Sequence, residues 1–308
     1  MEKQHGGTPP PGGKETSRAV DISVIIVSYQ TVDLIGACLN SVISQTGLRL
    51  EAFVVDNAST DGTTSLIAAD YPAVQLVANT ENRGFAAANN QVLPHCRGRY
   101  LLFLNPDTVL QDGCLTAAVA FMDAHPEVGL AGLEILNPDG TSQDSVSLRY
   151  LSHRYAAGEL AGLPGTIAAV LGAAMIAPRS AIDAVGGFDG DFFLYGEDED
   201  LCLRLRRRGY QIGYIPGARV IHHHGQSERG ATSAEVWRRK IRAEYLFYRK
   251  HYRPETIAKI SKMEMIKAHW RLITLPISLP FVKNKDRLRE KIAKYKVLKD
   301  ELQHGNRQ

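Results

Sequence analysis

Glu197-Asp198-Glu199-Asp200 sets four carboxylates in a row, and Arg204, Arg206, Arg207 and Arg208 follow within eight residues of the last of them. Crowded acids raise one another's proton affinity, and a carboxylate with a raised pKa can take a proton from a hydroxyl near neutral pH. Part of the pattern needs no such chemistry. Acids in the first turn of a helix and cations in the last complement its dipole, Asp200 and Arg204 stand at i,i+4, and Gly209 is a natural stop. One or two acids would serve the dipole, so the excess asks for a function. A bare acidic run is usually a solvated helix face, and Glu199 and Asp200 are assigned here to the helix start.

Further polar clusters stand at Ser28-Tyr29-Gln30, at Asp56-Asn57-Ala58-Ser59-Thr60-Asp61-Gly62, at Asn82-Arg83-Gly84-Phe85 and at Asn105-Pro106-Asp107-Thr108. Each alone reads as a turn leading to a helix cap, because Asn, Ser, Asp and Gly dominate turns. Together they form one polar rim on an apolar sheet, which is how a nucleotide pocket is built. No GxGxxG follows the first strand and no GxxxxGK[ST] occurs, which excludes a dinucleotide fingerprint and a P-loop. Asp107 could instead hold a divalent cation that bridges diphosphate oxygens. His222-His223-His224 adds imidazoles at a strand end, where they are either merely polar or metal ligands.

These clusters need elements to position them. Ile22 to Tyr29 is a buried-strand pattern, Asp33 to Gln45 is helical, Glu51 to Asn57 is a strand and Asp61 to Asp70 a helix. The alternation continues with a strand at Val74 to Asn79, a helix from Gly84 to His95, a strand from Arg99 to Asn105 and a helix from Gln111 to Ala124. Such an order predicts an α/β fold with a mostly parallel sheet covered on both faces and a ligand outside the carboxyl ends of its strands. The polar clusters fall at those ends. Gly165 to Pro178 is apolar with small residues and reads mainly as core.

With 308 residues, 44% of them hydrophobic, the chain can bury one large core, and its net charge of +3 is unevenly spread, with Lys and Arg crowded from Arg238 to Lys299. Cys38, Cys96, Cys114 and Cys202 show neither CxxC spacing nor disulfide-scaffold density, which fits a reducing, cytoplasmic setting. Residues 1–20 are rich in Gly, Pro and charge and read as a disordered segment without a secretory core. Leu272 to Val282 has about half the ~20 residues of a membrane span and carries Pro276 and Pro280.

The order VSY, VVDNASTDGT, ENRGFAAANN, FLNPDT, GAAMIAPRSAIDAVGGFDGDFFLYGEDEDLCLRLRRRGY and VIHHHGQS resembles glycosyltransferase family 2, most closely its bacterial rhamnosyltransferase-like members, from about Ile22 to about Tyr252. The resemblance implies a GT-A fold over residues 21–232 and inverting transfer of a sugar from a nucleoside diphosphate, rhamnose from dTDP-rhamnose, to a glycan or polyprenyl-linked acceptor in envelope polysaccharide synthesis. It places the nucleotide near Ser28, Tyr29 and Asp56, with Asp61 and Arg83 nearby and Asn57 and Asn105 in the same rim. Asp198 is implied as the base and Glu197 as the neighbour that positions it or meets the acceptor. Magnesium or manganese falls to Asp107, with His222 aligned to the first position of an H-x-x-G-x-S pattern that includes Gly225 and Ser227. Asn105-Pro106-Asp107 departs from the Asp-x-Asp of many relatives, so one metal carboxylate is missing. Gly172 and Ala173 match small residues that line donor sugar and acceptor, while Gly187, Phe188 and Asp189 shape the approach. A sugar-nucleotide binder without transfer activity is the first alternative. A nucleotidyltransferase is the second, and the Gly-rich basic loop it should carry after the first strand is absent.

Residues 233–308 read as a basic helical extension: EVWRRKIRAEYLFYRKHY, then a helix through Ile257 to Lys283, then a charged helix to about Gln303. Basic residues interleaved with Trp237, Tyr245, Phe247, Tyr248 and Trp270 fit either a helix lying on anionic lipid at the cytoplasmic face of a membrane or an ordinary amphipathic pair packed on the domain or on another copy. Nucleic-acid binding is disfavoured, since no reader module accompanies the charge.

Overall fold

Ile22–Ser28 (β1) is apolar except at Ser23 and Ser28 and is buried along its whole length, as a strand covered on both faces must be. The computed structural model describes residues 20–223, 232–278 and 285–304. Of the segment read as disordered, residues 1–20, all but residue 20 lie outside the described residues, as does the His224, Gly225 and Ser227 part of the histidine motif. After β1 come Val32–Ile43 (α1), Leu50–Asp56 (β2), Thr63–Asp70 (α2), Gln75–Ala78 (β3), Phe85–Val92 (α3), Tyr100–Leu104 (β4), Thr108–Leu110 (β5) and Cys114–Ala124 (α4). Then follow Val128–Leu136 (β6), Val146–Ser147 (β7), His153–Ala156 (α5), Ala169–Val170 (β8), Ala174–Pro178 (β9), Arg179–Val185 (α6), Glu197–Arg207 (α7) and Gln211–His222 (β10). Three helices close the chain: Ser233–His251 (α8), Pro254–Ser278 (α9) and Lys285–His304 (α10).

Eight strands form one sheet in the order β3-β2-β1-β4-β9-β6-β10-β5. β3, β2, β1 and β4 run parallel, with Ser28 level with Asp56, so the carboxyl ends of β1 and β2 open on the same rim. β9 enters antiparallel between β4 and β6, pairing Leu104 with Ala174, and β5 closes the far edge antiparallel to β10, pairing Thr108 with His222. The α/β architecture expected from the alternating elements is present. The stretch Gly165 to Pro178, expected as core, supplies β8 and β9 as well.

Alternate residues of the strands feed two cores. Ile22, Val24 and Ile26 face Ile35, Leu39 and Val42 of α1 on one side of the sheet. Ile25, Phe53 and Phe103 face α3, α6 and α7 on the other. Phe53 and Phe103 are almost fully buried, and each contributes about 2 kcal/mol by leaving water. Phe247, Tyr248 and Tyr252 at the end of α8 join this second core, while Ile241, Ala268, Val297, Leu298 and Leu302 hold α8, α9 and α10 together. α8 starts at Ser233 because Thr232 and Glu235 make a reciprocal capping box, Thr232 Oγ1 accepting from Glu235 N and Glu235 Oε2 from Thr232 N.

The acidic run opens α7. Gly196 is its N-cap with φ 82°, Arg208 its C-cap, and Gly209 leaves the helix at φ 93°, the left-handed stop that a glycine accepts without strain. Asp200, fully buried, is more than a favourable charge at a helix start. Its Oδ2 accepts from Arg204 Nε at 2.7 Å and its Oδ1 from His251 Nε2 at 2.7 Å. Arg207 Nη1 donates to His251 Nδ1 at 2.8 Å, so the ring carries its proton on Nε2. The Arg204 guanidinium also donates to the carbonyls of Val185 and Gly187. One carboxylate thus joins α7 to the end of α6 and to α8. Asp200→Ala leaves that guanidinium without its partner charge in a dry site and is expected to cost about 3–5 kcal/mol of unfolding free energy, measured by urea denaturation.

Candidate active site

The loop after β2 is held by its own carboxylates. Asp56, fully buried, accepts from Ser28 Oγ at 2.8 Å, Ser59 Oγ at 2.6 Å and Ser59 N at 2.8 Å, which uses three of its roughly four acceptor positions. Asp61 accepts from Val32 N, Thr63 N and Thr63 Oγ1, so the loops after β1 and β2 are tied together. Asn57 Nδ2 donates to the Gly84 carbonyl and Asn57 Oδ1 accepts from Asn79 Nδ2, and from Arg83 N at 3.4 Å. Gln30 adopts φ 54° and exchanges hydrogen bonds with Ser59 and Thr60. Ordered this way, the loops wall a cavity of about 200 Å3 lined by Ser28, Tyr29, Asn57, Asn105, Asp107 and Phe193 among others. Tyr29 is 51% exposed on that wall, whereas the Arg83 side chain is exposed to solvent and is absent from the lining.

Gly84 shapes the far wall. Its φ is 81° and a Cβ there would collide with the Phe193 carbonyl, which accepts from Phe85 N at 2.8 Å. Phe193 and Leu194, just before the acidic run, are thereby brought to the cavity.

Asp107 and His222 meet at the end of the sheet, both nearly buried, with Asp107 Oδ1 3.5 Å from His222 Nε2. The separation suits two cis ligands of one cation, which lie about 3 Å apart for bonds near 2.1 Å. Gln143 Oε1 is 2.8 Å from His222 Nδ1; accepting from Nδ1–H, it turns the Nε2 lone pair toward Asp107. Two donors do not make a complete ligand set, and among the described residues no group of three His, Cys, Asp or Glu side chains gathers. The pair therefore fits a cation whose remaining ligands are phosphate oxygens and water. Gln143 was not foreseen from the sequence. It follows the turn Asn137-Pro138-Asp139-Gly140-Thr141, where nothing local marks a glutamine as a partner of a histidine 79 positions later.

Asp198 stands in the first turn of α7 and accepts from Gly172 N at 3.0 Å through Oδ2 and from Glu199 N at 2.9 Å through Oδ1. Each oxygen keeps a further acceptor position. With Glu199, Ser145, Ser147, Val170 and Leu171 it lines a second cavity of about 160 Å3. Burial pushes the Asp198 carboxyl above its ordinary range, against the two amide hydrogen bonds that favour the anion. Glu197 is buried, its Oε2 has no partner among the described residues, and burial followed by the charges of Asp198 and Asp200 moves its pKa upward. Burial, then the charges of Asp198 and Glu244, push Glu199 up to about 8.

The two cavities are linked by adjacent residues. Ala173 accepts from Asn105 N at 2.9 Å, and Gly172 donates to Asp198. Gly172 and Ala173 thus join the strand end that carries Asp107 to the helix start that carries Asp198. Phe188 is 3% exposed, with its ring against Phe85 and Phe103 and its main chain clasped by Asn90. Asp189 pairs with Lys250 of α8 at 2.8 Å. Neither residue lines the two cavities.

The family model for glycosyl transferase family 2 matches residues 23–186, more than half of the chain. An N-acetylglucosaminyl-diphospho-decaprenol L-rhamnosyltransferase of Mycobacterium tuberculosis is 27% identical over 236 residues, covering 67% of this chain and 77% of that protein. The O-antigen biosynthesis protein RfbC of Myxococcus xanthus is 28% identical over 235 residues, 70% of this chain and 18% of that much longer one. Among solved structures, a mannosyltransferase from Pyrobaculum calidifontis in complex with GDP-Man and Mn2+ superposes with a TM-score of 0.61 at 20% identity, covering 94% of this chain and 88% of the other.

The raised carboxyl of Glu199 fixes the sign of a pH effect. Between its ordinary 4.5 and about 8 the folded chain holds a proton that the unfolded chain has released, so this contribution to stability is complete below about 4.5 and is lost as pH rises toward 8. Melting temperatures measured from pH 5 to pH 8 are expected to fall less in Glu199→Gln than in the parent.

Proposed function

The chain belongs to glycosyl transferase family 2, and from that premise we propose that it transfers a sugar with inversion from a nucleoside diphosphate to a glycan acceptor, with Asp198 as the base. The observation that carries this reading is the link through Gly172 and Ala173, which sets a carboxylate with unused acceptor positions beside the strand end that carries Asp107. In the proposed step the acceptor hydroxyl oxygen attacks the anomeric carbon, its proton passes to Asp198, and the bond from that carbon to the diphosphate oxygen breaks with the electron pair leaving on the diphosphate. The upward displacement of the Asp198 pKa supports the assignment, because a base works best with a proton affinity near the operating pH. Glu197 is buried next to it, and burial followed by the charge of Asp198 favours its protonated form, which leaves the pair's negative charge on Asp198.

The cavity under Tyr29 is proposed to take the nucleotide, with Ser28, Asp56, Asn57 and Asp61 ordering its loops and Asn105 on its wall. Asp107 and His222 would hold magnesium or manganese, which when bound neutralises charge on the departing diphosphate. Rhamnose from dTDP-rhamnose is the proposed donor and a polyprenyl-linked glycan of envelope polysaccharide the proposed acceptor, taken up at the cytoplasmic face of the membrane. What supports these is the L-rhamnosyltransferase activity of the mycobacterial relative and the O-antigen biosynthesis role of the Myxococcus one.

Asp198→Asn is expected to lower transfer by about 10²–10⁴-fold while thermal-shift binding of the nucleoside diphosphate stays as in the parent. A variant that binds and still transfers at the parental rate removes the base assignment, and a parent that binds donor without consuming it favours a sugar-nucleotide binder. Chelation by EDTA is expected to weaken diphosphate binding in the parent, and added manganese to restore it there but not in Asp107→Ala. The same binding assay over a panel of nucleotide sugars reads out the donor.

A further inference from the structure

α9 is buried on one side only. Ile260, Ala268 and Leu275 face the other helices and the core, while Met263, Ile266, Trp270, Ile273 and Ile277 lie on the opposite side. The spacing of that second set, 3, 4, 3 and 4, makes one straight stripe about 21 Å long. Trp270 and Ile273 are each 63% exposed and Ile277 66%. Large apolar side chains in a continuous row on a surface mark a place where something other than water is meant to lie.

The charges beside the stripe say what that is. On the helical wheel Lys262 and His269 flank it on one side and Lys267 and Arg271 on the other, all four exposed. Glu264 lies toward the inward side with its side chain 21% exposed and paired to Lys267, and Glu255 stands near the start of the helix, two turns before the stripe. Next to Arg271 a cavity of about 330 Å3 opens between the helices, lined by Trp237, Arg287, Lys291 and Lys294 with Glu290 as its acid. A second copy laid along the stripe would oppose cations to cations. An anionic lipid surface meets both demands, taking apolar side chains below the headgroups and cations among them. The helix cannot cross a bilayer, since no helix among the described residues is long and apolar enough.

We propose that α9 lies in the plane of an anionic membrane, with Met263, Ile266, Trp270, Ile273 and Ile277 inserted and the flanking Lys and Arg side chains on lipid phosphates. This inference stands apart from the transfer reaction, and its test uses neither donor nor acceptor. The full chain is sedimented with vesicles of phosphatidylcholine alone or of phosphatidylcholine with 30% phosphatidylglycerol. The parent is expected to partition at least tenfold more strongly into the anionic vesicles. Trp270→Glu with Ile273→Glu is expected to reduce that binding at least tenfold, and Lys267→Glu with Arg271→Glu to abolish the preference for anionic lipid. All four positions are exposed, and an unchanged melting temperature verifies the fold. In a Trp237→Phe background Trp270 is the one remaining tryptophan, and its emission is expected to shift to the blue with anionic vesicles. The proposal is overturned if the parent stays in the supernatant with anionic vesicles or the glutamate variants bind like the parent. It is equally overturned if the lipid-free parent self-associates and Trp270→Glu with Ile273→Glu dissolves that association.

Discussion

The backbone groups of two consecutive residues hold the site together. The carbonyl of Ala173 accepts from Asn105 and the amide of Gly172 donates to Asp198, so the end of β4 and the start of α7 are fixed to one another through a single bend of the chain. The bend sits where it does because β9 runs antiparallel against β4, with Ala174 opposite Leu104. A parallel strand in that place would begin beside the amino end of β4, away from Leu104. A Cβ at residue 172 would stand 3.4 Å from the Asp198 side chain, in van der Waals contact with it. A side chain longer than a methyl group at residue 172 would crowd the carboxylate held at this bend.

The carboxylates of α7 illustrate how neighbours of one chemical type are driven to different tasks. Helix periodicity turns each one by about 100° from the last, so four consecutive acids face four directions. Asp200 meets Arg204 and His251 in a dry interior, Asp198 meets two amides and a cavity, and Glu197 is buried with its Oε2 lacking a hydrogen-bond partner among the described residues. Helix-dipole stabilisation acts on all of them, yet the upward pKa of Glu197, Asp198 and Glu199 shows that burial outweighs it here.

Sequence alone made the alternating elements from Ile22 to Ala124 readable, because buried strands and amphipathic helices carry their periods locally. The polar loops at the strand ends were readable for the same reason. β9 was not, since an apolar segment with small residues has no mark of which strands it will separate, and antiparallel insertion is decided by contacts about 70 residues away. The i,i+4 pairing of Asp200 with Arg204 was legible, but its second partner, His251, stands 51 positions later. Phe188, read with its neighbours as shaping the approach, lies in the aromatic packing of Phe85 and Phe103. The basic helices left two readings open, and their geometry contains elements of both: inward faces packed together and an outward face that is apolar.

The buried contact between His251 and Asp200 has a bearing on how this chain can be divided. α8 delivers an imidazole to the helix that carries Asp198, and Phe247, Tyr248 and Tyr252 to the core beneath it. Ending the polypeptide after β10 would remove these groups together and open a buried carboxylate to solvent. A minimal soluble fragment sought by trimming should therefore keep α8, even though every cluster that resembles a sugar-transfer motif lies before it.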